Sequence, residues 1–190
     1  MERLPGEPRT YLSADSAFQE GGVADNSMPQ EYLNILDLPG MPIHNLTFKV
    51  GSPINLMRNL NFEAELCNGT RMIINTLKQR VVEATILTGT HAGNHAFIPR
   101  ISLDSPASSG LPFTLRRRQF PFRSAFAMTI NKSQGQSLST VGLHLPNPVF
   151  AHGQLYVALS RCTDSHNFRV LLPPDSNGCT DNIVYKEVLT

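Results

Sequence analysis

The chain has 190 residues, of which 41% are hydrophobic and only 16% are charged. This composition supports one compact domain or two small ones, and it excludes a disordered tail or a coiled coil. The net charge of +1 does not by itself indicate a nucleic-acid-binding protein. Residues 1–42 carry a net charge of −5, so the remainder carries +6. A basic main segment that follows an acidic N-terminal segment is compatible with a phosphate-bearing partner. Proteins without such a partner also show this distribution of charge.

The cysteines and histidines give no sign of a disulfide framework or a metal site. The chain has three cysteines, an odd number, at the widely spaced positions Cys67, Cys162 and Cys179. This pattern favours reduced thiols in an intracellular protein. The histidines form no metal-ligand pattern. The N-terminus lacks the apolar run of a secretion signal, and no stretch approaches the roughly 20 apolar residues of a membrane span. We therefore expect an intracellular protein without a metal site or membrane segment.

The chain up to Phe120 predicts short strands separated by turns. Alternation of apolar and polar residues is the main signal, and Asn68-Gly69 is typical of a hairpin turn. Pro99 favours an edge strand or a bulge. Strands about ten residues apart indicate a small barrel or sandwich. The predicted strands are 10–14, 46–50, 54–56, 70–74, 81–87, 96–101 and 113–120, with loops at 19–31 and 102–112 and one or two helical turns at 32–38.

After Pro121 the pattern changes to alternating helices and strands. Ser124 is predicted to cap a first helix, which Gly135 ends in a left-handed conformation. A second helix is predicted with Leu155 and Leu159 on its buried face. The predicted elements are a helix over 125–134, a strand over 140–145, a helix over 151–163 and a strand over 168–172.

Each of these helices carries polar groups that could contact phosphate. On the first, Thr129, Lys132 and Ser133 share one stripe of potential donors to phosphate oxygens, although spacing alone favours an ordinary solvated face. On the second, Gln154 and Arg161 project in the same direction. An arginine at the edge of a buried helix usually has an anionic partner. The sequence leaves open whether that partner is an aspartate of the same fold or a bound phosphate.

The densest positive segment is Arg116, Arg117 and Arg118, which lies beside phenylalanines at 120 and 122. Basic residues interleaved with aromatic residues can bind the backbone and bases of a nucleic acid. On an edge strand, the same charges would instead prevent unwanted strand pairing. Both interpretations remain open, with the second slightly favoured. The chain contains no GxxxxGK[ST] motif, so it lacks the usual cradle for nucleotide phosphates.

Five segments in order resemble the Pif-family (petite integration frequency) helicases, in the RecD-like branch of superfamily 1, and their Helitron-type members most of all. The resemblance spans residues 4–172, and LPGE at 4–7 and YLSADS at 11–16 also fit the group. The five segments are KVGSP at 49–53, LMRNL at 56–60, CNGTR at 67–71, AMTINKSQGQSL at 127–138 and GQLYVALSR at 153–161.

The resemblance implies an α/β fold. The chain would form part of the second RecA-like motor domain, of the P-loop NTPase type, with a small β-barrel of the Src-homology-three type inserted into it. Residues 1–42 would be the preceding part of that domain with a linker, and residues 43–119 the inserted barrel. Residues 120–175 would return to the RecA-like domain, and residues 176–190 would be a tail.

The resemblance also implies roles for individual residues. Arg161 would be the catalytic arginine that reaches the γ-phosphate of ATP and stabilises charge in the transition state. Gln134, Gly135 and Gln154 would couple the nucleotide to the DNA track. Many relatives carry histidine at the position of Asn131, which keeps a donor but lacks the imidazole ring. The DNA-binding residues would be Thr129, Asn131, Lys132, Ser133, Arg116, Arg117 and Arg118.

The function implied by the resemblance is that of an ATP-dependent 5′-to-3′ DNA helicase. Its process would be DNA repair, recombination, telomere maintenance or Helitron transposition, in the nucleus or alternatively in the mitochondrion. The full-length family enzyme would use ATP and Mg²⁺ and act as a monomer on single-stranded or forked DNA. We expect this chain to be the C-terminal portion, without its N-terminal RecA-like partner domain and without bound cofactor or ATPase activity of its own. The alternatives are a non-catalytic module that binds single-stranded DNA and a degenerate transposon remnant.

Overall fold

The computed structural model describes residues 4–19, 23–25 and 27–188, which divide into two compact units at Phe126/Ala127. In the first unit the helix is α1 (Gln30–Ile35), and the strands are β1 (Arg9–Leu12), β2 (Ala14–Phe18), β3 (Ala24–Asp25), β4 (Asn45–Phe48), β5 (Pro53–Leu56), β6 (Arg71–Leu77), β7 (Val81–Ile86), β8 (His95–Pro99), β9 (Ile101–Asp104), β10 (Thr114–Gln119) and β11 (Phe122–Ser124). The second unit contains β12 (Val141–His144), α2 (Gln154–Leu159) and β13 (Phe168–Leu171). Short 3₁₀ turns connect several of these elements.

The larger sheet of the first unit is an antiparallel sheet with the strand order β11-β5-β6-β7-β8. Every second residue of β7 is buried, as are Met72 and Ile74 of β6, as the alternating pattern predicts. The β1–β4 ribbon contributes Tyr11, Leu46 and Phe48 to the same core, where Tyr11 meets Phe120 edge-on at 4.9 Å between ring centroids. Pro99 ends β8, which is an edge strand, and this confirms the prediction made for Pro99.

The second sheet of this unit has the order β3-β2-β10-β9, and α1 packs on one face of it through Leu33. Three predictions were wrong here. The predicted loop at 19–31 contains β3 and the start of α1. The predicted loop at 102–112 begins with strand β9, and β10 is an internal strand rather than an edge strand. Strands from residues 9–25 pair with strands from the 43–119 segment, so the compact unit includes both parts of the chain.

In the second unit, β12 and β13 pair in parallel and α2 lies in the connection between them. Parallel strands require such a crossover, and this confirms the α/β character predicted for this part of the chain. The buried hydrophobic residues described in this unit are Leu143, Leu145, Val149 and Ala158. Among the described residues, no helix has the length and apolar character needed to cross a bilayer.

The helix predicted over 125–134 is absent. Ser124 ends strand β11, the Ala125 N–H donates to the Pro53 carbonyl at 2.9 Å, and only Ile130–Ser133 form a 3₁₀ turn. The β-branched pair Thr129-Ile130 has a low helix propensity, and the Ala125 contact continues the sheet instead. The helix predicted over 151–163 is shorter than expected and comprises only Gln154–Leu159. It begins after Gly153, whose φ of +72° is incompatible with a helix.

Candidate functional site

Arg161 lies just beyond the end of α2, and its half-buried guanidinium points back into its own unit. Its Nε donates to the Val157 carbonyl at 2.8 Å, and its Nη2 donates to the Ser160 hydroxyl at 2.8 Å. Its Nη1 donates to the Gln136 carbonyl at 2.8 Å and weakly to the Ser133 carbonyl at 3.4 Å. The backbone adds a bond from the Leu138 N–H to the Arg161 carbonyl at 2.8 Å. Arg161 therefore ties the end of α2 to the turn at residues 133–136.

All of these partners of Arg161 are neutral. Within the described residues no carboxylate forms an ion pair with this guanidinium, so the first of the two alternatives left open by the sequence, an aspartate of the same fold, is not found there. A partly buried cation without a counter-charge is unfavourable compared with one that has an anionic partner. The four contacts occupy four of the five N–H groups of the guanidinium. The site can therefore accept an anion if the side chain exchanges carbonyl partners for charged oxygens.

The segment facing Arg161 is the 3₁₀ turn Ile130–Ser133, and its polar side chains are divided between two environments. Ser133 is buried, and its hydroxyl donates to the Ile130 carbonyl at 2.6 Å. Thr129, Asn131 and Lys132 are exposed. The predicted stripe through Thr129, Lys132 and Ser133 does not form, because the segment is not a helix and Ser133 faces inward.

Gln134 and Gly135 continue this turn on the surface. Gly135 has φ +78°, so the predicted left-handed conformation is present although the helix before it is not. Gln154 has a local role, since its side-chain oxygen accepts the Phe150 N–H at 3.1 Å next to the start of α2. Gln154 and Arg161 therefore both make contacts within the second unit, and neither is directed freely into solvent.

The three consecutive arginines of β10 have three different environments. Arg116 forms an exposed two-point ion pair with Asp104 at 2.6 and 2.8 Å, and this hydrogen bonding holds the pKa of Asp104 below its usual 3.8. Arg117 is fully buried and forms a two-point pair with Asp15 at 2.9 and 2.8 Å. Arg118 is exposed and has no ion-pair partner among the described residues.

These environments correct the prediction of one continuous positive patch. Arg117 donates further to the carbonyls of Leu33, Leu36 and Pro42 at 2.8, 3.0 and 3.1 Å, so its donors are used inside the protein. We therefore remove Arg117 from the residues expected to contact DNA. The sequence contained a signal for this burial, because Arg117 lies between Leu115 and Gln119 in a period-two pattern whose members all face the core.

No cluster that suits a metal ion occurs in the described ranges 4–19, 23–25 and 27–188, where no three histidine, cysteine, aspartate or glutamate side chains converge. A Mg²⁺ ion requires oxygen ligands in a near-octahedral arrangement. The described residues do not offer such a set.

Comparisons with known proteins agree with this architecture. A family model described as the 2B domain of DNA helicase Pif1 matches residues 31–77, and a model described as Helicase matches residues 115–187. The ATP-dependent DNA helicase PIF1 of Homo sapiens is 30% identical over 174 residues, which are 90% of this chain and 24% of the human protein. This chain therefore spans about a quarter of the length of that relative.

Solved structures show a similar fold over almost the whole chain. The Pif1 helicase of Candida albicans aligns with 99% of this chain and 44% of its own, at 22% identity and a TM-score of 0.66. A Pif1 helicase from Bacteroides, in complex with ADP-AlF3 and single-stranded DNA, aligns with 95% of this chain and 38% of its own, at 20% identity and a TM-score of 0.62.

Proposed function

Because the chain belongs to the Pif1 family of helicases, we propose that it is the C-terminal portion of an ATP-dependent DNA helicase motor. In this proposal the second unit couples ATP hydrolysis to movement along single-stranded DNA. The observation that carries the proposal is the contact between Arg161 and the turn at residues 133–136. The residue expected to contact the nucleotide is thereby hydrogen-bonded to the segment expected to contact DNA.

The coupling chemistry follows from the partners of Arg161. A γ-phosphate that reached the guanidinium would form hydrogen bonds in which both partners are ionised, and it would add a Coulomb attraction that the neutral carbonyls do not provide. The guanidinium would then release the carbonyls of Ser133 and Gln136 and free the turn that it holds. Charge that develops on the phosphate during hydrolysis would be stabilised by the same cation. Binding and hydrolysis of ATP would thus be transmitted to residues 129–136.

The DNA side of the proposed site consists of Thr129, Asn131 and Lys132, which are exposed on the turn. A hydroxyl, an amide and an ammonium group suit the oxygens of a DNA backbone, which position a strand without reading its sequence. When Arg161 exchanges its hydrogen-bond partners, Gln134 and Gly135 would transmit the resulting movement of the turn to these residues. The buried Ser133 would act only by holding the shape of the turn through its bond to Ile130.

The remainder of the motor would be supplied by residues outside this chain. The sequence contains no GxxxxGK[ST] loop and the described residues form no metal-binding cluster, so ATP and Mg²⁺ would be held mainly by an N-terminal RecA-like domain. The parallel pair β12–β13 also leaves Val170 and Leu171 exposed at 46% and 63%. Parallel sheets are normally covered on both faces, and two strands alone are marginally stable. The remainder of the motor would therefore cover these exposed side chains.

The proposal extends to the domain types, the direction of movement, the DNA substrate and the cellular process. The second unit would be part of a RecA-like domain, and the larger sheet of the first unit would be a barrel of the Src-homology-three type. The helicase would move 5′ to 3′ as a monomer, on single-stranded or forked DNA, in the nucleus. The process would be DNA repair, recombination, telomere maintenance or Helitron transposition.

The proposed function is tested by replacing the matching segment of the human relative with this chain and measuring ATPase activity stimulated by single-stranded DNA. Arg161→Ala is expected to lower kcat by about 10³-fold or more, as for other arginines that stabilise a transferring phosphate. Arg169→Ala is the matched control, because Arg169 is an exposed arginine of the same unit that contacts the carbonyls of His166 and Phe168. Full activity of the Arg161→Ala chimaera would reject the catalytic role.

The chain by itself provides a second test. We expect no ATPase activity above background from the isolated chain, and we expect Lys132→Ala to weaken its binding to single-stranded DNA at low salt. ATP turnover that disappears in the Arg161→Ala variant would show that the chain holds ATP without a partner domain. DNA binding that is unchanged by Lys132→Ala would remove the turn from the DNA track.

A further inference from the structure

A pocket lined by arginines lies in the first unit and includes Arg118 of β10. It has a volume of about 520 Å³ and is lined by Ala14, Gln79, Arg80, Pro99, Arg100 and Arg118. The three arginines come from separate parts of the fold: the β6–β7 turn, the β8–β9 connection and strand β10. We refer to this site as the arginine pocket. Lys78 adds a further cation to the same turn as Arg80.

No described carboxylate forms an ion pair with an arginine of the arginine pocket. Arg118 faces Ala14 on β2 and Ser102 on β9, whereas Arg116 and Arg117 on the same strand are paired with Asp104 and Asp15. Over the described residues, neither Arg80 nor Arg118 has an ion-pair partner. Burial lowers the pKa of Arg100, and the nearby Arg118 charge lowers it further, although Tyr11 partly opposes this. An anion in the pocket would relieve this repulsion between cations.

Arg100 is held in place at the base of the arginine pocket. Its Nη1 donates to the Leu12 carbonyl at 2.8 Å, and its guanidinium carbon lies 5.5 Å and 5.2 Å from the ring centroids of Tyr11 and Phe120. Its Nε is buried and has no hydrogen-bond partner in the described part of the chain. A buried donor left without an acceptor is costly, so the protein satisfies the Arg100 guanidinium only in part.

The turn that carries Lys78 and Arg80 is also fixed. The Tyr11 hydroxyl donates to the Lys78 carbonyl at 2.9 Å, and the Arg9 Nη1 donates to the Leu77 carbonyl at 2.6 Å. These contacts reduce the conformational freedom that the turn would lose on binding a ligand. The arginine pocket is therefore built in advance of its ligand.

We propose that the arginine pocket binds the phosphodiester backbone of a single DNA strand, as a second contact separate from Thr129, Asn131 and Lys132. Several cations on three elements suit a chain of phosphates better than a single phosphate ion. The aromatic rings below Arg100 are buried, so they do not offer faces on which bases could stack. Binding is therefore independent of sequence and depends strongly on salt. This inference rests on the proposed function only for the choice of DNA as the strand.

The experiment uses the full chain and a labelled oligothymidylate of about 15 nucleotides, with fluorescence anisotropy measured over a range of salt concentrations. The double variant Arg80→Ala/Arg118→Ala removes two exposed cations. It is expected to lower the slope of log Kobs against log salt by about 1.4, which corresponds to a roughly 25-fold loss of affinity at about 0.1 M salt. The control Arg123→Ala/Arg169→Ala removes the same charge from exposed positions outside the pocket and is expected to change the slope little.

A second variant keeps every arginine. Ala14→Glu places a carboxylate opposite Arg118, so it is expected to weaken DNA binding while it leaves the fold intact. The proposal is wrong if the pocket double variant binds as the control double variant does, or if Ala14→Glu has no effect. It is also wrong if inorganic phosphate displaces the oligonucleotide much better than chloride at matched ionic strength, because the pocket would then hold free phosphate. Lys132→Ala on the same probe tests the proposed function separately, so either idea can fail alone.

Discussion

The buried pair of Asp15 and Arg117 is expected to stabilise the first unit far more than the adjacent exposed pair of Asp104 and Arg116. Both pairs are two-point contacts made by neighbouring residues of β10. The side chains of Asp15 and Arg117 are 0% exposed, whereas those of Arg116 and Asp104 are each 45% exposed. The two pairs therefore have similar geometry and differ mainly in their access to water.

Asp15→Asn removes the negative charge and leaves the Arg117 guanidinium buried without a counter-charge. Breaking a buried pair in this way costs about 3–5 kcal/mol. With an m-value of about 2 kcal/mol per molar urea, the unfolding midpoint should fall by roughly 1.5–2.5 M. Asp104→Asn should shift the midpoint much less, since exposed ion pairs are screened by water and salt.

The measurement is equilibrium urea unfolding of the chain, followed by circular dichroism. Arg117→Met should cost at least as much as Asp15→Asn, because the carbonyls of Leu33, Leu36 and Pro42 also lose their donor. The double variant should be less destabilised than the sum of the two single variants, since they share one interaction. Equal midpoint shifts for Asp15→Asn and Asp104→Asn would refute the reasoning that burial sets the strength of the pair.

Two further predictions concern the loop at residues 89–93. Gly89 and Gly93 have φ values of +90° and +92°, but only at Gly89 would an added Cβ meet the Glu65 carboxylate. Gly93→Ala should therefore lower the free energy of unfolding by about 1–2 kcal/mol. Gly89→Ala should lower it clearly more. Equal decreases in the thermal unfolding midpoint of the two variants would contradict this expectation. The Thr90 hydroxyl and the His91 N–H donate to Glu65 and hold its pKa below the usual 4.5. Because that pKa is lowered on folding, the stabilisation is complete above pH 4.5 and is lost as the pH falls through the folded-state pKa. Protection of the His91 amide from hydrogen exchange should therefore fall only in acid, whereas Glu65→Gln should lower it already at neutral pH.

Strands β5 to β8 and β10 of the first unit could be predicted because each has one face in a core and one toward solvent, whereas β2, β3 and β11 were missed. Val82, Ala84 and Ile86 of β7 are buried at alternate positions, and that period is visible in the sequence. The order of the motif segments likewise identified the family without any structure. The helix predicted over 125–134 failed because local pattern could not show that Ala125 continues the sheet by bonding to Pro53.

The sequence by itself determined strands β5 to β8, the α/β crossover and the presence of cations at Arg116, Arg117 and Arg118. Only the tertiary structure decided which of these cations is available to a ligand. Arg117 is neutralised by Asp15, 102 positions away in the chain, while Arg118 faces Ala14 and Ser102. Neutralisation depends on which distant residues the sheet order brings opposite each arginine, and strand pairing over long separations is not encoded in local periodicity.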